Sequence, residues 1–263
     1  MINESLRAYM FFSLPYEYEP AGLFSIWHFL LLAAVLALVA VALYASRHMS
    51  DRAVRRTVRV ITGLLWVLEL AKIAFVLFVT GSRNPNDFIP LYYCSLILYA
   101  GIFSSCFRGL LRRVGDCFIA TGGLVGGLVF LLMPTTSLPR YPAFHFISWH
   151  SFLLHGLMIY LGLLLLVRGT YRIQLRDIRY CAALVSIMCM LALVFNTVYD
   201  HISGNALANL MFVSKDFPGT PITVLYRLCG PFFTVFMWLV QSFGPFLFVY
   251  WMSLLFKKIK RIV

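Results

Sequence analysis

The sequence predicts an all-α, polytopic membrane protein whose core is a bundle of seven transmembrane helices. Of its 263 residues, 61% are apolar and only 12% carry a charge, and the mean hydropathy is +0.86. A soluble domain contains roughly twice that fraction of charged residues. Seven separate apolar stretches each approach the roughly 20 residues that a helix needs to cross the hydrocarbon core. These observations exclude a free-standing soluble enzyme, a disordered chain and a nucleic-acid-binding protein.

The predicted spans divide the chain into three parts. Residues 23–255 form the transmembrane domain, with an extracytoplasmic lead-in over 1–22 and a basic cytoplasmic tail over 256–263. The longest connection, the outer loop over 201–228, contains several Gly and Pro residues, which interrupt helices. The seven predicted spans are 23–45, 58–80, 89–107, 114–134, 147–167, 180–200 and 229–255.

The distribution of basic residues predicts the orientation. One set of alternate connections, together with the C-terminal tail, contains sixteen of the 22 Lys and Arg residues, whereas the other set contains five. Because Lys and Arg are concentrated in cytoplasmic loops, the N-terminus is predicted outside and the C-terminus in the cytoplasm. This asymmetry accounts for the net charge of +12. The compact chain favours a multi-pass protein of the cell membrane, in particular a bacterial cytoplasmic membrane.

Two opposite charges lie in the middle of the second predicted span. Glu69 and Lys72 are three residues apart and therefore share one helix face. Charged side chains in a span are costly unless they face the bundle interior or water, so each is a candidate functional group. Two interpretations stay open: an ion pair that fixes helix packing, or a carboxylate that accepts or orients a proton.

A cysteine and two histidines are the candidate catalytic groups. The third predicted span begins at Pro90, which places Tyr92 and Cys94 near the outer boundary. Cys94 is either an acyl-accepting nucleophile or an inert buried thiol. In the fifth span, His155 is either a general base that faces Cys94 or a core histidine bonded to a neighbour. His150 lies five residues earlier, on another face, so neither a metal site nor a cofactor is predicted.

The end of the sixth predicted span and the outer loop carry a cluster of amides and one carboxylate. Its members are Asn196, Asp200, Asn205 and Asn209. Asn196 and Asp200 are four residues apart on one face, and helix capping explains only part of such a cluster. Cys94 and His155 fall in the same outer half of the membrane, and Glu69 lies deeper. We therefore expect a single polar cavity that opens to the outer leaflet or the outer face.

Several short motifs occur in a characteristic order along the chain. They are Phe24-Ser25, His28, Glu69, Ile89-Pro90-Leu91, Cys94, Pro134, His155-Gly156, Asn196, Gly204-Asn205, Asn209, Pro218 and Gly230-Pro231. In this order they resemble the YwaF-like bacterial integral membrane proteins, which are distantly similar to the transmembrane protein 164 acyltransferases. The resemblance implies a seven-helix bundle that transfers a fatty acyl group between lipids with a cysteine and a histidine near the membrane face. Where the YwaF-like pattern reads Leu-Pro-Leu-His-Leu-Cys, this chain has Tyr92 at the histidine position.

The leading hypothesis is a lipid O-acyltransferase whose lipid enters sideways from the outer leaflet. Cys94 would carry the acyl group as a thioester, and His155 would act as general base. Other residues would orient the histidine, bind the carbonyl oxygen and the head group, or support the site from behind. These supporting residues are Glu69, Tyr92, His150, Asn196, Asp200, Asn205 and Asn209. The predicted partners are membrane lipids, without nucleic acid, and the sequence indicates no particular protein partner.

A non-enzymatic carrier, or a seven-helix protein that binds a small molecule or an ion, is the main alternative. In that protein Glu69, Lys72 and Asp200 would form an ion or proton path through the bundle. No inverted repeat relates the two halves, and an odd number of spans is less natural for a duplicated transporter. A seven-helix receptor or assembly factor is the third interpretation.

Overall fold

The chain is helical almost throughout. In the computed structural model, which describes residues 10–259, no strand occurs within that range. Six helices in it are long and apolar enough to cross a membrane, so the protein is an all-α polytopic membrane protein. The helices are α1 Ile26–Ala45, α2 Asp51–Thr80, α3 Pro85–Phe88, α4 Leu96–Cys106, α5 Gly109–Leu132, α6 Phe146–Val167, α7 Ile178–Ser203, α8 Pro221–Cys229 and α9 Phe233–Ile259. Helices α8 and α9 are joined by a short 3-10 turn and count as one of the six.

Parts of the predicted termini lie outside the described range, namely residues 1–9 of the lead-in and 260–263 of the basic tail. Within the range, local capping explains most helix boundaries. The hydroxyls of Ser25 and Ser50 accept hydrogen bonds from N–H groups in the first turns of α1 and α2. Gly81 ends α2 with φ 64°, a left-handed conformation that glycine adopts without steric cost.

The third predicted span, 89–107, is only partly helical. Its helix covers 11 residues, Leu96–Cys106, which rise about 16 Å, roughly half of the hydrocarbon core. Pro90 does not begin the helix as the sequence predicts. The reason is that the carbonyl groups of Pro90 and Leu91 bind partners from other parts of the chain, so they do not accept helical hydrogen bonds. Residues 89–91 are therefore irregular although they are apolar, and residues 92–95 form a turn that leads into α4.

Helices α5 and α6 are the most buried of the six and form the centre of the bundle. A Cβ atom at Gly127 on α5 would lie 2.8 Å from the His155 carbonyl oxygen on α6. One at Gly162 on α6 would lie 2.8 Å from the Ile119 carbonyl oxygen on α5, where α5 widens into a π-helical turn over Ile119–Gly123. The absence of side chains at these glycines allows the two backbones to approach closely.

The connections between helices meet at two ends of the bundle. At one end, Arg55 near the start of α2 donates to Asp116 on α5 at 2.6 Å and to the Thr170 carbonyl after α6 at 3.4 Å. At the other end, the Asn86 side chain donates to the Leu207 carbonyl at 2.6 Å. We call the first of these the basic end, because the Arg-rich connections meet there, and the second the opposite end.

Candidate functional site

Residues 89–95, here called the junction segment, connect three parts of the fold. The Tyr99 hydroxyl on α4 donates to the Pro90 carbonyl at 3.1 Å. The Met211 N–H, in the loop after α7, donates to the Leu91 carbonyl at 3.1 Å. Irregular backbone at membrane depth requires such partners, because hydrocarbon offers none. Hydrogen bonds from Tyr99 and Met211 therefore hold residues 89–91 in place, and a local turn holds residues 92–95 against the start of α4.

Tyr93 and Cys94 of the junction segment face the glycine-rich part of α5. The Tyr93 ring packs on Phe118 with centroids 5.6 Å apart, and a Cβ atom at Gly122 would lie 2.7 Å from its hydroxyl. That hydroxyl is buried and has no hydrogen-bond partner among the described residues. The Cys94 thiol donates to the Gly126 carbonyl across 3.9 Å, and a thiol is a weak donor. The Tyr93 hydroxyl and the Cys94 thiol thus lie against α5. Among the described residues the hydroxyl has no hydrogen-bond partner, and the thiol has one weak hydrogen bond.

His155 on α6 offers a free ring nitrogen. Its Nδ1 lies 2.6 Å from the Ser151 carbonyl oxygen, which can only accept, so Nδ1 carries the proton. The imidazole stacks on Phe130 of α5, with centroids 3.6 Å apart and planes at 9°. Nε2 therefore keeps its lone pair, and it is buried without a hydrogen-bond partner among the described residues. A buried, unpaired base is uncommon and is a candidate proton acceptor.

Cys94 and His155 reach α5 at consecutive residues. The Cys94 thiol contacts the Gly126 carbonyl, and the His155 backbone lies against Gly127. Within the described range no hydrogen bond joins the two side chains. The fold thus brings the predicted pair to neighbouring turns of α5, with the Cys94 thiol at Gly126 and the His155 ring on Phe130.

Glu69, Lys72 and His150 form a second polar group, between α2 and α6. Glu69 is 2% exposed, and its Oε1 lies 2.6 Å from Lys72 Nζ. Its Oε2 lies 3.9 Å from His150 Nε2, and neither ring nitrogen of His150 has a hydrogen-bond partner in the described chain. This group therefore shares α6 with the general-base candidate and contains a further unpaired imidazole.

The amides of the predicted outer cluster organise the loop after α7. Asn196 holds Leu210 through two hydrogen bonds, from its Nδ2 to the Leu210 carbonyl at 3.2 Å and from the Leu210 N–H to its Oδ1 at 2.9 Å. The Asn209 Oδ1 accepts from the Lys215 N–H at 3.1 Å, and its Nδ2 donates to the Lys215 carbonyl at 3.1 Å. These side chains replace secondary structure in closing the loop.

Asp200 and Asn205 lie at the same end of α7. Asp200 accepts from the Ala208 N–H at 3.0 Å and from the ammonium group of Lys215. Asn205 is exposed, and its backbone bonds to Ser203. In the described structure none of the hydrogen bonds of the outer cluster reaches His155, so the cluster and the cysteine–histidine pair are separate groups.

A strained turn in this loop touches the junction segment. Met211 and Phe212 have φ values of 58° and 51°, and left-handed residues other than glycine cost roughly 1–2 kcal/mol each. The turn aims the Met211 N–H at Leu91 and packs the Phe212 ring against Tyr92, with centroids 4.9 Å apart and the planes tilted by 41°. Gln241 on α9 donates to the Met211 carbonyl at 2.9 Å. The strain is therefore maintained by contacts that fix the junction segment.

The comparison with known families covers nearly all of this architecture. The model of the TMEM164 family matches residues 23–255, which include α1 to α8 and most of α9. The chain belongs to the TMEM164 family. No curated protein and no solved structure matches it. As a TMEM164 family member with six long apolar helices, the protein is an integral, multi-pass membrane protein in contact with membrane lipids.

Three residues of this region were not predicted from the sequence. Tyr93 was not singled out, although its position beside Cys94 was a usable signal. Asn86 and Lys215 close the outer loop by bonding to Asn209 and Asp200, and no local pattern relates these distant positions. Their role follows only from the three-dimensional arrangement.

Proposed function

We propose that this TMEM164 family protein is a membrane lipid O-acyltransferase in which Cys94 accepts the acyl group and His155 is the general base. The observation that carries the proposal is the unpaired, buried Nε2 of His155, whose ring stacks on Phe130 of α5, one helical turn after the Gly126 carbonyl that receives the Cys94 thiol. A base with a free lone pair and a thiol held by one weak hydrogen bond are the two groups that thioester chemistry requires.

The reaction proceeds in two transfers. His155 Nε2 takes the thiol proton as Cys94 attacks the ester carbonyl of a donor lipid. The carbon–oxygen bond breaks, the thioester forms, and the proton passes to the leaving lipid oxygen. An acceptor lipid hydroxyl then loses its proton to Nε2 and attacks the thioester, which returns the proton and the electron pair to sulfur. The Tyr93 hydroxyl is free to donate to the carbonyl oxygen during both transfers.

Proton transfer requires the Cys94 sulfur and His155 Nε2 to come within hydrogen-bond reach, directly or through one water, in the lipid-bound state. A Cβ atom at Gly126 would meet Tyr93 and Met158, and one at Gly127 would meet the His155 carbonyl and Ile159, so this movement requires flexible side chains such as Met158 to shift. Glu69 and His150 support the site from the contact between α2 and α6, where the charge of Glu69 balances that of Lys72.

In this proposal the outer cluster positions the junction segment and receives the lipid head group. Asn196, Asp200 and Asn209 hold the loop whose Met211 N–H binds Leu91, so they act through the backbone beside Cys94. The supporting contacts are the paired hydrogen bonds of these side chains within the loop. Two further supporting residues belong to the proposed site. Tyr92 packs against Phe212, and Asn205 is exposed for contact with a head group.

We further propose that the chain crosses the membrane seven times, with the N-terminus outside. Helix α2 begins at the basic end, and α5 begins there too, since Arg55 bonds to Asp116. Residues 81–108 would therefore return across the bundle, with α4 and the junction segment as a broken third span. The lead-in 1–22 and the loop 201–228 would lie outside. The tail 256–263 would be cytoplasmic, as in a YwaF-like protein of a bacterial cytoplasmic membrane.

Mass spectrometry of the intact protein tests the enzymatic proposal. Protein in lipid nanodiscs with an isotope-labelled phospholipid should gain one acyl group that hydroxylamine removes, and the label should appear on other lipids. Cys94→Ala should abolish both signals, and His155→Gln should slow them by roughly 10²- to 10⁴-fold. Cys106→Ala is the matched control, because Cys106 is also a free cysteine but is exposed. Label transfer at the wild-type rate in Cys94→Ala would exclude the mechanism.

A carrier is the second candidate, and the buried group of Glu69, Lys72 and His150 supports it. A carrier in reconstituted vesicles would take up protons or a small molecule equally well in wild type and Cys94→Ala. It would lose that uptake in Glu69→Gln. An enzyme would show no such uptake and would lose acyl transfer in Cys94→Ala, so the two functions are distinguishable in one set of variants.

A further inference from the structure

A second concave site lies at the basic end, away from Cys94. It is a cavity of about 410 Å³ between the start of α2, the start of α5 and the connection after α6. Small-molecule sites typically measure roughly 300–1,000 Å³. The charged side chains in its wall are Arg55, Arg112, Arg113, Arg172 and Asp116. Asp116, in the wall of this cavity, and Gly126, which contacts Cys94, are about 15 Å apart along the axis of α5. The cavity is therefore separate from the proposed acyl-transfer site.

Buried carboxylates fix two of these arginines. Arg55 lies 2.6 Å from Asp116, which is 4% exposed. Arg113 makes a bidentate pair with the fully buried Asp177, with both N···O distances at 2.8 Å. The Tyr171 hydroxyl donates to Asp177 at 2.9 Å, and burial raises the pKa of Tyr171, so it stays a donor. The guanidinium positions are therefore set before any ligand binds.

The remaining arginines leave the cavity with excess positive charge. Arg112 and Arg172 have no carboxylate partner among the described residues. Arg112 uses its Nε for the Phe107 carbonyl at 2.9 Å, which leaves its terminal nitrogens free. Gly109, the first residue of α5, also lines the cavity, and no side chain caps this helix. Unpaired guanidinium groups and free N–H groups at a helix start both favour an anion.

We propose that the basic-end cavity binds a phosphate group. Guanidinium groups bind phosphate oxygens bidentately, and four of them surround a space of suitable size. Phe107 before α5 and Leu110 and Leu111 on its first turn are exposed apolar side chains, and they neighbour Gly109 and Arg112 of the cavity wall along the chain. Acyl chains can lie along this apolar edge, so a phosphate at the head of a lipid is the favoured source, and free phosphate is the other source.

Lipid retention by the full-length protein in detergent tests this site. Native mass spectrometry should detect one bound phosphatidic acid and no retention of diacylglycerol with the same chains, which lacks only the phosphate. Arg172→Gln and Arg112→Gln should each weaken phosphatidic acid binding about tenfold, the effect of one charge-assisted hydrogen bond. Arg172 is exposed and makes no hydrogen bond among the described residues, so its replacement preserves the fold.

Arg56→Gln is the matched control, because Arg56 is exposed at the same end and lies outside the cavity. Added inorganic phosphate separates the two sources. Displacement of the lipid by phosphate indicates that the phosphate alone is recognised, and resistance to it indicates that the acyl chains contribute. The proposal is overturned if Arg56→Gln weakens binding as much as Arg172→Gln, or if diacylglycerol is retained as well as phosphatidic acid.

Discussion

Two buried histidines use their ring nitrogens in opposite ways. At His145, Nδ1 accepts from the Ile147 N–H at 3.0 Å, and Nε2 lies 3.0 Å from the Ser13 carbonyl oxygen. Both nitrogens are therefore satisfied, and His145 caps α6 and anchors the lead-in. At His155 only Nδ1 is bonded, to the Ser151 carbonyl, and Nε2 is free. Hydrogen-bond satisfaction thus separates a structural imidazole from one available for chemistry.

The cap at His145 makes stability depend on pH. Burial lowers the pKa of His145 to about 4, whereas an unfolded histidine titrates near about 6.5. Between these values the unfolded chain binds a proton that the folded chain does not. Stability should therefore fall as the pH drops from about 6.5 to about 4, by at most about 3 kcal/mol. Thermal unfolding in detergent, measured across this range, gives the slope.

His145→Asn isolates this contribution. Asparagine also caps helices by accepting an N–H hydrogen bond but does not titrate, so the variant should lose part of the wild-type slope. His48→Asn, at an exposed position, should keep it. Identical slopes for His145→Asn and wild type would show that another group causes the pH dependence.

At the scale of helices, the length of the apolar stretches predicted most of the fold. The exception is the junction segment, whose structure depends on hydrogen bonds to residues distant in sequence. Hydropathy is a property of consecutive residues, so six long helices could be predicted from the sequence. The junction segment could not, because Pro90 is as compatible with a first helical turn as with irregular backbone. What decides is the bond from Met211 to Leu91, between residues far apart in sequence. The closure of the outer loop by Asn86 could not be predicted from the sequence for the same reason.

The contact between α5 and α6 is sensitive to one added methyl group. In Gly127→Ala the new Cβ would lie 2.8 Å from the His155 carbonyl oxygen and 2.8 Å from the Ile159 side chain. The helices must separate, which should lower the free energy of unfolding by about 1–3 kcal/mol and displace the general base. Unfolding in denaturant and the acyl-adduct assay measure the two effects.

Gly63→Ala provides the control for this helix contact. Gly63 lies inside α2, and an added Cβ meets nothing within 4 Å. Alanine is the better helix former, so this variant should be neutral or more stable by up to about 1 kcal/mol. Equal stability of Gly127→Ala and Gly63→Ala would mean that the two helices are less tightly coupled than their backbone approach indicates.

At the scale of the whole molecule, the two ends differ in chemistry. The basic end joins arginines to buried carboxylates and leaves positive charge around a cavity. The opposite end contains the amides and the strained turn that hold the junction segment. Because Lys and Arg are retained on the cytoplasmic side, this polarity sets the expected orientation. The acyl-transfer site and the phosphate site would then serve opposite leaflets.

Cysteine labelling tests both the orientation and the number of crossings. In a background without native cysteines, Asn205→Cys at the opposite end should react with a membrane-impermeant maleimide in intact cells. Arg52→Cys, at an exposed position at the start of α2, and Arg108→Cys, at an exposed position after the proposed third span, should react only after permeabilisation. Labelling of Arg52→Cys and Arg108→Cys from different sides would exclude a crossing over residues 81–108. Inverted labelling of all three variants would keep seven crossings and reverse the orientation.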